Sequence, residues 1–398
     1  MIRRALVLLA APVLMAVPLK EQHFTLPNGL RVILLEDHTL PQVRVHVGLD
    51  FEASERLAPF VGALLEGTGA GSMSAATFAR TLEERGGWLQ AAWSPGTLEW
   101  QLQVGSVELE GALELLAHAV FRPVYDAARV DQLRARLLKQ AQERTARDGA
   151  LDLFLGRLGH PRGGRVPGES SLSQTTFQEL VAYRRGVTDP RRAAVVLYGD
   201  LALPLARQTM LQNFGSWTPP PATAPTKAAG VPDLIQIKGL PAEAWAGIRV
   251  VFADDSQREA FDVLGQVCCT TGLESGQSPS LLSESDGFRL EWTRGEPQAG
   301  VILAHLASPS PRADLLERLV ALRQKGLTQG ELDRAQEQLQ RQRAMLPLHP
   351  QQLVEDCLDR HRAPEDAPTP KLQLAQVRSL LEAWLRPEGL KFLVVKGE

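Results

Sequence analysis

The sequence predicts an α+β protein of two tandem halves, each a mostly antiparallel sheet packed with helices. Three observations predict it. At 398 residues the chain exceeds what one ordinary core supports, so two or more domains are expected. A proline-rich run near the middle, Thr218-Pro-Pro-Pro-Ala-Thr-Ala-Pro-Thr226, has the composition of an extended linker. On either side of it, stretches of period two alternate with stretches of period 3.6 in the same order, more weakly in the second half. The expected division is a leader at 1–18, a first domain at 19–217, a linker at 218–232 and a second domain at 233–398.

Residues 24–50 read as two strands. Asn28-Gly29 is a turn dipeptide that leads into an apolar run, and Val43-Arg44-Val45-His46-Val47 alternates as a half-buried antiparallel strand should. A helix is expected from about Leu57. Pro59 fits there only in the first turn, whose amides have no helical partner. Residues 77–85 form a second helix, stopped by Gly86-Gly87, and 88–94 and 97–104 alternate as strands. An amphipathic helix at 108–121 (Leu109, Ala112, Leu113, Leu116, Val120) ends before Pro123. A long helix is expected at 130–147, then a turn-rich loop with His160-Pro161, Gly163-Gly164 and Pro167-Gly168. Residues 177–183 are helical, 191–199 a buried strand, and Phe214-Gly-Ser-Trp217 closes the half. In the second half strands are expected at 234–238, 246–252, 288–293, 300–308 and 390–395, and helices at 257–269 and 311–325. Thr328 caps a further helix that runs into a polar stretch.

Composition narrows the partners. A net charge of -3, with 44% hydrophobic and 22% charged residues, gives no reason to expect nucleic acid or an acidic membrane surface. The arginines between Arg134 and Arg147 are interleaved with Leu and Glu, as on a solvated helix face. At the N-terminus Arg3-Arg4 precedes an apolar run at 5–17, broken by Pro12 and followed by Pro18 and the polar Lys20-Glu21-Gln22. This is the layout of a secretory signal peptide cut near Ala16, and the run is short for a membrane span. Export to the periplasm or the exterior is expected, with no stable membrane span. Of the cysteines Cys268, Cys269 and Cys357, a bridge from Cys357 to one of the adjacent pair and a set of buried thiols are both open.

The functional question is set by Leu57-Ala-Pro-Phe-Val-Gly-Ala-Leu-Leu65 followed by Gly67-Thr68. Around it stand Leu26-Pro-Asn-Gly-Leu-Arg-Val32, Glu36-Asp37-His38 before Pro41, the strand ending Tyr198-Gly199-Asp200, and Glu331-Leu332-Asp333-Arg334-Ala335. In order and spacing these resemble the insulinase/pitrilysin zinc peptidases over about 23–398, most densely in the first half. Active members carry Gly-Leu-Ala-His-Phe-Leu-Glu-His on this helix; the two His hold zinc and the Glu is the general base. The matching positions here are Pro59, Gly62 and Ala63, none of which binds a metal or moves a proton. The third-ligand position falls on Gln142, with Glu143 beside it. In the second half, the family's substrate-binding Arg and Tyr fall on Ser283 and Leu290, with Arg289 one position from the Tyr slot.

No other chemistry replaces what is missing. Of eight histidines, no two lie three to five apart with a carboxylate between. His118 reads as a structural residue at the edge of its helix, and His38 and His46 can face each other across the opening hairpin. There is no Gly-x-Ser-x-Gly elbow and no phosphate-cradling Gly-rich loop. The resemblance thus implies a catalytically silent homologue with no cofactor of its own, although active relatives hold zinc. Its implied partner is an active insulinase-like zinc peptidase chain acting on peptides. Two alternatives are a stand-alone module binding peptides or unfolded polypeptide, and a weak zinc metalloendopeptidase with a non-standard site.

Overall fold

The computed structural model describes residues 20–51, 54, 56–65, 69–94, 96–220, 230–239, 241–268, 288–296, 298–346, 349–362 and 371–397. The expected leader at 1–18, Cys269 and Ser283 lie outside the described residues.

The opening turn forms as its dipeptide demands. Gly29 takes φ +90, a backbone conformation that costs a glycine little, and Leu26 N–H donates to the Leu30 carbonyl at 2.8 Å. The Asn28 side-chain amide donates to the carbonyls of Phe214 (2.8 Å) and Trp217 (2.9 Å), so the turn that opens the first half is tied to the segment that closes it.

The first sheet contains β1 (Lys20–Thr25), β2 (Arg31–Glu36), β3 (Gln42–Asp50), β5 (Trp88–Ser94), β6 (Thr97–Gly105) and β8 (Ala193–Gly199), in the order β1-β2-β8-β3-β6-β5. The short strands β4 (Gly69–Ala70) and β7 (Pro123–Val124) pair with each other beside it. The second sheet contains β9 (Leu234–Lys238), β10 (Glu243–Val251), β11 (Arg289–Glu296), β12 (Ala299–Ala307) and β13 (Lys391–Lys396), in the order β11-β12-β10-β13-β9. Each sheet has one parallel pair, β2 with β8 and β13 with β9, and is otherwise antiparallel. The series β2-β8-β3-β6-β5 and β9-β13-β10-β12-β11 therefore follow one topology, and β1 is an addition to the first.

Helices fill the intervals: α1 (Ala58–Leu64), α2 (Ala75–Glu84), α3 (Leu109–Phe121), α4 (Ala127–Glu143), α5 (Ala146–Leu158), α6 (Glu169–Gln174), α7 (Phe177–Val187) and α8 (Leu203–Phe214), then α9 (Asp255–Cys268), α10 (Pro311–Lys325), α11 (Gln329–Met345), α12 (Pro350–Arg362) and α13 (Leu374–Trp384). Thr176 and Thr328 close capping boxes with Glu179 and Glu331 at the starts of α7 and α11. The long helix expected at 130–147 is in fact two. Arg144 takes extended backbone (φ -72, ψ 137), and Thr145 accepts from the Asp148 N–H to cap a new helix. The apolar stripe changes target at this break. Val130, Leu133 and Leu137 of α4 enter the first core, whereas Phe154, Leu155 and Leu158 of α5 cross to the second sheet.

Each half buries the inner face of its own sheet. Val43, Val45 and Val47 pack with Phe60 and Leu113 in the first, and Ala246, Ile302 and Ala304 with Phe261 and Leu319 in the second. The outer faces are covered by exchange. Leu353, Val354, Cys357 and Leu358 of α12 lie on Ile33, Leu35, Ala194, Val196 and Tyr198 of the first sheet. Phe154, Leu155 and Leu158 of α5 lie on Trp245, Val301, Leu303, Leu393 and Val395 of the second. The fit under α5 needs Gly247, where a Cβ would meet Leu158 Cδ1 at 2.3 Å. Charges clamp α5 at both ends. At its start Arg147 forms a two-pronged pair with Glu243, which is 2% exposed and also meets His305 Nε2 at 2.8 Å. Just past its end, His160 (Nε2 at 3.1 Å) and Arg162 both meet Glu291. The Glu291 carboxyl is drawn down to about 2, first by the His160 hydrogen bond.

Of the two readings left open for the cysteines, a bridge from Cys357 to Cys268 is not made. Both are buried, and they sit in different clusters, Cys357 under α12 and Cys268 in the second core.

Two measurable consequences follow from the outer faces. Phe154→Ala should cost about 3–5 kcal/mol. Because α5 belongs to one half and its seat to the other, urea unfolding should remain a single shared transition at lower urea by both far-UV circular dichroism and tryptophan fluorescence. His46, 5% exposed on β3 opposite Val196, lies on the face that α12 covers. Burial, with Arg44 adding to it, holds its pKa down at about 4. The unfolded value is about 6.5, so the folded state binds fewer protons and stability is complete above about 6.5 and is lost as pH falls toward 4. Unfolding free energy should drop by about 2 kcal/mol from about pH 7.5 to about pH 5, and His46→Leu should flatten that slope.

Candidate functional site

The site begins with the way α1 is entered. Ser54 accepts the Ala58 N–H on its carbonyl (2.9 Å) and the Leu57 N–H on its hydroxyl (3.3 Å), while its own N–H donates to the Tyr183 hydroxyl at 2.8 Å. Arg56 pairs with Glu179 of α7 at 2.8 Å and donates to the Thr175 hydroxyl at 3.3 Å. The Arg56 hydrogen bond to Glu179, with those from Thr176, draws the Glu179 carboxyl down to about 2. Pro59 then occupies the first turn, where no amide is missed. Phe60, Val61 and Leu64 point into the core.

Positions 59, 62 and 63 share a helix face by spacing. Pro59 and Gly62 are buried there. A Cβ added to Gly62 would lie 2.0 Å from Trp93 Cδ2, 2.2 Å from Cγ and 2.3 Å from Cε2. The indole of β5 thus rests against the backbone of α1, in the space a larger side chain would need. Trp93 carries Arg165 on its ring, with Cζ 5.8 Å from the centroid. Sequence patterning identified the strand but not this contact. The only sequence signal was a glycine in a helix interior, which often marks a close approach.

Zinc does not fit these residues. It takes nitrogen, sulfur or oxygen donors at about 2.0–2.3 Å; Pro59 and Gly62 offer none, and the space before Gly62 holds an apolar ring. Gln142 and Glu143 lie exposed in the last turn of α4, and Glu143 is 3.7 Å from Lys139. Among the described residues no three His, Cys, Asp or Glu side chains are grouped to hold a metal ion.

In the second half Leu290 is 8% exposed and packs into the second core opposite Ala304. Arg289 lies exposed on the other face of β11, so it does not replace a side chain at the Leu290 slot. His38 and His46 do not form a pair. His38 sits between Asp200 (2.6 Å) and Glu36 (2.8 Å), which hold it above its usual pKa, at the end of the sheet, while His46 lies mid-strand facing α12.

The loop after α5 is the other ordered feature beside Trp93. Asp152 receives the N–H groups of Arg165 (3.0 Å) and Val166 (3.4 Å) on its carboxylate and that of Gly164 (2.8 Å) on its carbonyl. Arg144 pairs with the same carboxylate at 2.9 Å. Loop and helix touch through glycines: a Cβ on Gly163 would lie 2.1 Å from Gly156 N.

No protein-family profile and no curated protein matches the chain. Solved structures match closely in fold at low identity. An M16-like peptidase from Alicyclobacillus acidocaldarius superposes with a TM-score of 0.72 at 15% identity, over 96% of this chain and 100% of that one. A peptidase M16 inactive domain from Pseudomonas fluorescens gives 0.70 at 16%, over 95% and 98%. The periplasmic protease PqqL from Escherichia coli gives 0.66 at 13%, over 95% of this chain but 48% of its own length. The chain has the fold of the M16-like, insulinase-type peptidases, in a version that lacks the His-x-x-Glu-His motif.

Proposed function

We propose that this chain is a catalytically silent M16-fold subunit that is exported and pairs with an active zinc peptidase chain acting on peptides. The observation that carries the reading is Trp93 resting against Gly62. The position that would bear a general base has no side chain, and its space is filled by an apolar ring. Two facts about similar structures support it: an M16 domain described as inactive shares the fold, and PqqL is about twice the length that this chain covers. In this reading 19–217 and 233–398 are the two halves and 218–232 joins them. Export rests on the composition of residues 1–18; no helix among the described residues is long and apolar enough to cross a membrane. A second reading, a stand-alone peptide-binding module, is favoured by one observation: among the described residues β5 is an edge strand of the first sheet, and an edge can accept an extended peptide.

The purified chain should hold far less than one zinc per chain by mass spectrometry and leave quenched peptides uncut. The variant Pro59→His/Gly62→Glu/Ala63→His should gain no cleavage and lose about 1–3 kcal/mol of stability, because Glu at 62 meets the Trp93 ring. Cleavage by that variant would reveal a competent site and overturn the reading. Tagged full-length chain recovered from its native envelope fraction should bring down a His-x-x-Glu-His peptidase in near-equal amount. Recovery of the chain alone with peptide bound would favour the stand-alone module.

A further inference from the structure

The loop that follows α5 presents two arginines to two different sheets and completes only one of them. Arg162 reaches Glu291 on β11 of the second sheet, where His160 and Thr293 meet the same carboxylate. Arg165 reaches Trp93 on β5 of the first sheet. Its guanidinium lies over the ring and donates to the Pro161 carbonyl at 3.0 Å, and among the described residues no carboxylate meets it. The unfinished end is as firmly built as the finished one. Asp152 fixes the backbone on both sides of Arg165, Arg144 fixes Asp152, and Gly164 takes φ +63 to turn the chain. The glycines at 156, 163 and 164 allow helix and loop to touch directly. An exposed arginine held this way has lost much of its conformational freedom in advance, which lowers the entropic cost of binding. The face of an indole also orients its planar fork.

The setting names the occupant. Trp93 lies on β5, one of the two edges of the six-stranded sheet, which pairs only with β6 among the described residues. We propose that Arg165 on Trp93 is a receptor for a carboxylate, and that its occupant is an acidic side chain of an extended polypeptide lying along β5. Backbone pairing with the edge gives affinity without selectivity. Arg165 adds the selectivity, because a carboxylate opposite the fork gains two charge-assisted hydrogen bonds that an amide cannot match. The inference rests on the peptide-binding reading of β5 and not on the pairing reading: no binding of either peptide would end that reading, whereas equal binding of both would end only the role of Arg165.

The test is fluorescence anisotropy on the full chain with two labelled extended peptides, one alternating Asp with Thr and its twin alternating Asn with Thr. The acidic peptide should bind at least about tenfold more tightly at low salt, and the difference should shrink as salt rises. Arg165→Gln should abolish the difference, Arg165→Lys should keep part of it, and Arg136→Gln, which removes an exposed arginine on α4, should leave it unchanged. Equal affinity for the twins, no binding of either, or a preference that survives Arg165→Gln would overturn the proposal. Competition by free acetate at the same carboxylate concentration would overturn the polypeptide occupant in favour of a small anion. No second protein is present in the assay, so its outcome is separate from whether the chain pairs with a peptidase.

Discussion

A sheet with two apolar faces must be covered twice, and neither half of this chain does so with its own helices. β8 is buried along its whole length, and Trp245, Val301, Leu303 and Leu393 of the second sheet face away from their own core. The remedy is exchange: α5 leaves the first half to cover the second sheet, and α12 leaves the second half to cover the first. Much else depends on it. Gly247 is required by Leu158, Glu243 is tolerated in a buried place because Arg147 pairs with it and His305 meets it, and the loop after α5 is held where it can reach Trp93. A hinge between the halves would have to strip both faces at once.

Strand positions were legible in the sequence because a period of two leaves a strong mark on Val43 to Val47 and on the run ending at Gly199. The two-half order was legible for the same reason. What could not be read was anything decided by a distant surface. α12 presents Leu353, Val354, Cys357 and Leu358 to strands more than a hundred residues earlier, and nothing local announces that seat. The break at Arg144 was hidden because both α4 and α5 are good helical sequence, and only the capping geometry of Thr145 separates them.

The candidate site divides in the same way. The lack of donors at 59 and 62 is a property of residue types, so it was visible at once. That the space is filled, and filled by Trp93, depends on which residue of β5 faces α1, which no single strand discloses. Gly62 and Trp93 are two sides of one fit. The glycine gives room for the ring, and the ring repays the lost side chain by burying apolar surface against the helix. The charges nearby belong to architecture: Glu291 and Glu243 serve the α5 clamp, and the His38 group fastens one end of the first sheet.

Exchanged helices also impose an order of completion during synthesis. Phe154, Leu155 and Leu158 leave the ribosome well before β10, β12 and β13 exist to receive them. Until then the first half carries a greasy helix with no seat and a bare sheet face awaiting α12. Such exposed surfaces attract chaperones and invite aggregation. A chain built this way finishes neither half until both are present, and the nascent form stays exposed until β13 arrives.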